Sequence, residues 1–426
     1  MRMKFSPFHL LLPLLVGGVF AYNGMYGTDV VYDVHAGTAT STKTQQLIGV
    51  TETATSTQAT TPEVPAFVVT HIAPPSPVKG AYMTSCIASG KNLRAPLVKL
   101  VEENEMNALI IDIKDYTGTI SFETGDPRFI LNSKGCSISD IQTFIASLHE
   151  KHIYVIGRVQ AMQDASYPKL HPDAAVKRKS DGKTWSDRKG ITFVDPGASE
   201  YWAYLADLAR ASYAVGFDEI NFDYVRFPSD GNMSDIAFTR TGSTSKPEMM
   251  RRFYDYLGHE MHKAGIPISA DLFGMTTTNA DDLGIGQVLE NALPNFDYIA
   301  PMVYPSHYPP NFNGWKDPNK VPYDIVNFSM AKAVARANAL EEKEAAHLAA
   351  LNATGTSTGT STQPKFIPTG KYANKLRPWL QDNDYPVTYT AEMVRAQIKA
   401  TYDAGLTSWM MWDPRNVYTK AAYQAP

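Results

Sequence analysis

Cysteine is nearly absent: Cys86 and Cys136 are the only two in 426 residues. At most one disulfide can form, and in an oxidising compartment the pair either links or stays as two free thiols. Histidine is sparse, and its ten copies are scattered, with only His307 close behind a strand-like run. The clustered ligands of a metal-dependent hydrolase barrel are therefore missing, and no metal or other cofactor is expected. No Gly-x-Ser-x-Gly elbow and no Gly-x-x-x-x-Gly-Lys phosphate loop occurs. Where a dinucleotide fingerprint would follow the first strand, Ser85-Cys86-Ile87-Ala88 stands instead. A basic patch is also lacking, and the net charge of −4 gives no general attraction to nucleic acid.

Long apolar runs are equally scarce. The one at the start, residues 8–21, falls short of the ~20 residues of a spanning helix. Arg2 and Lys4 precede it and Val19-Phe20-Ala21 offers a small-residue cleavage site, so residues 1–22 read as a signal peptide or a membrane anchor. Either places the rest outside the cytoplasm, secreted or tethered. Residues 23–76 include a Thr/Ser/Ala/Gln-rich stretch with Pro62 and Pro65, too poor in apolar residues to bury a core, and read as a linker. A second such stretch, 352–363, reads as a flexible insertion in a folded domain spanning 77–426.

Inside that domain, strand-like runs are expected at 78–85, 108–115, 152–160, 217–225, 266–274, 297–305, 376–381 and 406–413. Helical periodicity falls between them at about 93–104, 138–151, 196–215, 247–264, 281–292, 323–351 and 391–404. Asp195-Pro196 reads as the start of the third helix and Gly216 as its stop. Eight strands alternating with helices predict an α/β fold, a (β/α)8 TIM barrel, with a doubly wound open sheet as the runner-up.

The fourth strand is the unusual one, because FDEINFDYVRFPSD carries acids inside an apolar run. At a two-residue period Glu219, Asn221, Asp223 and Val225 share one face, and Ile220, Phe222 and Tyr224 share the other. A buried Asp223 needs a partner or a cleft. If the barrel closes, the strand ends bring together Asp112 and Asp115, Arg158, Asp223, Asp271, Tyr304, Gln381 and Asp382, and Trp412 and Asp413. Such a set fits glycosidic cleavage: one carboxylate to attack or stabilise, one acid to protonate the leaving oxygen, aromatics against sugar faces.

Each residue also has a structural alternative. Asp223 can pair with Arg158 or Arg226 to hold a loop, Asp271 can be a prop hydrogen-bonded near Ser269, Asp112 can neutralise Lys114, and Asp115 can be a turn residue. Tyr304 and Trp412 can simply fill the top of the barrel.

The stretches KGAYMTS, NALIIDIKDYTGTISFET, KHIYVIGRVQ, WSDRKGITFVDP, GFDEINFDYVRFPSDG, ISADLFG, IAPMVYPSHY and GLTSWMMWDP resemble the glycoside-hydrolase-like family known as domain of unknown function 4015. That resemblance covers about 78–414 and implies a TIM barrel with glycosidase activity. The fourth strand is also similar to the chitinase pattern Asp-x-x-Asp-x-Asp-x-Glu through Asp218 and Asp223. Asn221 and Val225 replace its other two acids, which argues against chitinase chemistry. A lone Asp ending that strand resembles the nucleophile position of α-galactosidase-like and α-amylase-like barrels, and this likeness assigns Asp223 as the nucleophile or principal transition-state carboxylate. Asp271 is the expected acid/base, and Asp112, Asp115, Arg158, Arg226, Tyr304, Trp412 and Asp413 the expected substrate-binding set. The expected partner is a polysaccharide or oligosaccharide of the cell envelope or surroundings. The rivals are a non-catalytic glycan-binding barrel and a polysaccharide lyase or deacetylase.

Overall fold

A computed structural model describes residues 67–352 and 366–425. The leader at 1–22, the linker as far as 66 and the insertion from 353 onward lie outside the described residues. Eight parallel strands close on themselves: β1 (Lys79–Met83), β2 (Ala108–Lys114), β3 (Tyr154–Gln160), β5 (Glu219–Asp223), β7 (Ile268–Phe273), β8 (Tyr298–Met302), β9 (Trp379–Gln381) and β10 (Trp409–Trp412). Around the ring they follow chain order, with β10 hydrogen-bonded back to β1. The long loops after β3 and β5 contribute a separate two-stranded ribbon, β4 (Lys177–Arg178) with β6 (Ile236–Ala237). The barrel is the expected one, and the open-sheet alternative is excluded by its closure.

The outer layer is helical: α1 (Ser85–Ser89), α2 (Lys91–Glu102), α3 (Ile141–His149), α4 (Tyr167–Leu170), α5 (Ser199–Ala214), α6 (Lys246–Lys263), α7 (Leu289–Ala292), α8 (Pro322–Asn352) and α9 (Ala391–Asp403). Strand composition explains the two cores. In β2, Leu109, Ile111 and Ile113 face the helices, while Ala108 and Ile110 join Val78, Tyr82, Tyr154, Ile156, Tyr304, Trp379 and Met410 inside. Each large apolar side chain so buried contributes roughly 2 kcal/mol. The interior is thus a packed core with chemistry confined to its ends.

Several local expectations change. The β2–β3 register shifts between Asp112 and Lys114, so Lys114 leaves the face of Asp112 and pairs with Asp164 at 2.9 Å. Asp112 therefore does not neutralise Lys114. Strand β5 ends at Asp223, and Tyr224 takes φ 51°, a left-handed conformation uncommon for a bulky residue. Alternation breaks there, and Val225 is buried in the outer core rather than beside Asp223. Asp195 does not cap α5, which starts at Ser199; it accepts from the backbone of Arg240 at 2.8 Å and Thr241 at 3.1 Å. Tertiary contacts have taken the side chain that local sequence offered as a cap. Gly216, at φ 119°, does follow the end of α5.

The helix expected over 281–292 is only α7, because Asp282 folds the Gly284 and Gly286 amides into a turn instead. Cys86 and Cys136 are bonded, with Cys86 in α1. The barrel floor is held by Asp218 at the foot of β5. It accepts from Val155 N at 2.8 Å and Ile72 N at 2.8 Å, and lies 3.0 Å from His149 Nε2.

Candidate active site at the barrel mouth

Inward positions of β2, β3, β5 and β7 lie in adjacent register, so one turn of polar residues meets near the carboxyl ends of the strands. Arg158 of β3 is the hub. It pairs opposite Asp112 on one side and Asn221 on the other, and only 4% of it is exposed. Its Nη1 donates to Asp112 Oδ1 at 2.7 Å, its Nη2 donates to Asp223 Oδ2, and its Nε lies 3.8 Å from Asp271 Oδ2. Three carboxylates from three strands share one guanidinium.

The free oxygens of these acids are also held. Tyr82 Oη donates to Asp112, and the Tyr224 amide, turned by its positive φ, donates to Asp223 Oδ1 at 2.6 Å. Asp271 Oδ1 accepts from Trp379 Nε1 at 2.7 Å and from Asn221 Nδ2 at 2.9 Å. One cation cannot balance three anions in a buried cluster. Burial first, and then the charge of Asp223, push Asp271 up to about 8, against the pull of Arg158. Asp271 therefore keeps its proton at neutral pH. Burial also raises Asp112, although Arg158 opposes it. Arg158 itself stays well above its usual range: burial works against its charge, but Asp223 and Asp112 outweigh it.

Beneath this ring lies a second polar set. Glu219 of β5 takes a buried ion pair from Arg377 and accepts from Ser269 Oγ at 2.5 Å. Asn221 Nδ2 reaches Ser269 Oγ at 3.0 Å and so joins the lower set to Asp271. Glu219, Arg377 and Trp379 are not among the site residues expected from the sequence. The signal was there in part, since Glu219 shares the inward period of Asp223, and Arg377-Pro378-Trp379 lies within the seventh run.

Aromatics close the ring. Tyr82 stacks on Trp412 at 4.1 Å, and Tyr304 lies 6.3 Å from the same indole. Trp412 is half-buried and Tyr304 buried.

The remaining candidates are elsewhere. Asp115 holds a turn, accepting from Thr117 N at 2.9 Å. Asp413 accepts from Arg415 N at 2.6 Å, and Asp382 from Thr419 N at 2.8 Å. Gln381 accepts from Ser306 Oγ at 2.8 Å, as a loop support. Arg226 pairs with none of the three acids and lies at 4.6 Å over the rings of both Tyr224 and Phe273. Among the described residues no group of three or more His, Cys, Asp or Glu is placed to hold a metal ion.

Two buried carboxyl groups facing one guanidinium, with the half-buried Trp412 beside them, can support acid/base or nucleophilic work on a sugar. The structure of the PgaB (BpsB) glycoside hydrolase domain from Bordetella bronchiseptica is similar in fold, at 12% identity, a TM-score of 0.53, and coverage of 82% of this chain and 99% of that one. A hypothetical protein from Ruminiclostridium thermocellum is 28% identical over 48% of this chain and 98% of its own, with a TM-score of 0.40. An α-galactosidase from Thermus thermophilus aligns at 12% identity and a TM-score of 0.45, covering 82% of this chain and 59% of that one. No curated protein matches the chain. The profile described as "Putative glycosyl hydrolase domain" matches residues 80–362 and 356–418. The chain therefore belongs to that family, domain of unknown function 4015.

Proposed function

We propose that the protein is a glycoside hydrolase that cleaves a polysaccharide outside the cytoplasm, with Asp223 as nucleophile or principal transition-state carboxylate and Asp271 as the acid/base. The observation that carries this reading is the convergence of Asp223 and Asp271, from neighbouring strands, on the Arg158 guanidinium. Asp271, pushed up to about 8, retains a proton beside Asp223, and a paired acid and carboxylate is what glycosidic cleavage requires. Asp112 and Tyr82 position Arg158 from the far side, and the half-buried Trp412 is the aromatic placed to meet a sugar ring. Membership of the family supports the same class of substrate. The Cys86–Cys136 bond and the apolar run at 8–21 support an extracytoplasmic site of action, secreted or tethered.

The test is hydrolysis of a glycan panel by the wild type, Asp223→Asn and Asp271→Asn, with the anomer of the first product read by NMR. Turnover lost and binding kept in both variants supports the assignment. A second reading has an observation of its own: the Asp223 side chain is only 6% exposed and closed on Arg158, as a structural ion pair would be. A wild type that binds glycans and cleaves none, with binding unchanged in Asp223→Asn, would establish a glycan-binding barrel instead.

A further inference from the structure

Four arginines are buried among the described residues, and three have a carboxylate. Arg94 pairs with Asp140, Arg158 with Asp112 and Asp223, and Arg377 with Glu219. Arg226 is the fourth, at 7% exposure, and no carboxylate among the described residues is within ion-pairing distance of it. Its Nη1 donates to Phe227 O and Ser229 Oγ, each at 3.1 Å, which are neutral acceptors. A guanidinium taken out of water without a counter-charge is costly. Burial pulls its pKa below the usual arginine range, against weaker pulls from Tyr224, Asp223 and Asp230.

Its surroundings show where that charge points. Phe273 ends β7 on the inward face shared with Asp271, and is half-buried at the mouth. Tyr224 follows Asp223 directly, its ring aimed by the left-handed turn. Arg226 lies at 4.6 Å from both ring centroids, a contact that holds the guanidinium between them. A planar, fixed guanidinium is matched by a planar carboxylate accepting two parallel hydrogen bonds.

We propose that Arg226 receives a carboxylate on the substrate, so that the preferred glycan is an acidic one whose sugars carry uronic-type carboxyl groups. This deepens the hydrolase reading and rests on it only for placing a glycan at the mouth.

The test is calorimetric titration of the full chain with short oligomers of glucuronate, galacturonate and mannuronate. Each oligomer is paired with its methyl ester, and sulfated and neutral oligosaccharides are run beside them. The wild type is expected to bind at least one free acid about tenfold or more tightly than its ester. Arg226→Gln should abolish that difference and Arg226→Lys should keep part of it. Equal affinity for acid and ester, preference for sulfated or neutral glycans, failure to bind any acid, or a preference that survives Arg226→Gln would each overturn the proposal. So would Arg226→Gln and Asp230→Asn lowering the unfolding midpoint equally with glycan preference unchanged, because Arg226 would then be a loop prop. Acid preference without cleavage of any oligomer would remove the hydrolase reading and leave this one. Cleavage of neutral oligomers alone would do the reverse.

Discussion

Asp271 is the residue whose protonation the fold changes most usefully. An unfolded aspartate titrates near 3.9, whereas in the barrel Asp271 is pushed up to about 8. The folded state therefore binds a proton that the unfolded state has released throughout that window. The stability contributed by Asp271 falls as pH rises from about 4 to about 8, and Asp271→Asn should remove that contribution in denaturant melts run across the range. As a general acid Asp271 works protonated, so kcat/KM is expected to decline above pH ~8, and the small residual turnover of Asp271→Asn should show no such basic limb. Asp223→Asn is expected to lower kcat about 10³-fold with glycan affinity little changed, read by steady-state kinetics beside titration.

Much of this ring was legible, because Asp112, Arg158, Asp223 and Asp271 all sit at inward positions near the ends of recognisable strands. What was not legible joins distant segments. The Trp379 bond to Asp271 spans 108 residues and the Arg377 pair with Glu219 spans 158. No local spacing announces either, and the left-handed turn at Tyr224 has no glycine to advertise it.

Among the elements, β5 is the one whose period decides the site. Its inward residues sit at successive depths, with Glu219 on the floor side, Asn221 between and Asp223 at the mouth. The lower acid should serve stability and the upper acid chemistry. Glu219→Gln strands Arg377 without its carboxylate in a buried place and is expected to cost about 3–5 kcal/mol of unfolding free energy, measured by denaturant titration. Its effect on glycan affinity should be small. Strand patterning could be read because both faces of each strand are buried in apolar cores of different membership. Helix starts were read less well. Asp195 found its amides in the segment before α6, and Asp282 preferred a turn, so tertiary and short-range hydrogen bonds outcompeted the helical pattern.

At the scale of the molecule, the bond from Cys86 to Cys136 closes a loop with a sequence separation of 50 that contains α2, β2 and the segment leading to α3. Replacing both by serine should cost about 2–4 kcal/mol, seen as a lower unfolding midpoint that reductant no longer changes. The closed ring is also uneven. Strands β2 and β3 pair at six positions, whereas β8 and β9 pair at Met302 and Trp379 alone, helped by a bridge from Ile299 to Leu376. A barrel breathes first where its staves are least stitched, and here that seam carries the indole that steadies Asp271. Amide deuteration should therefore surface earliest along β9, and each such excursion would briefly wet the very carboxyl group whose dryness sets its appetite for a proton.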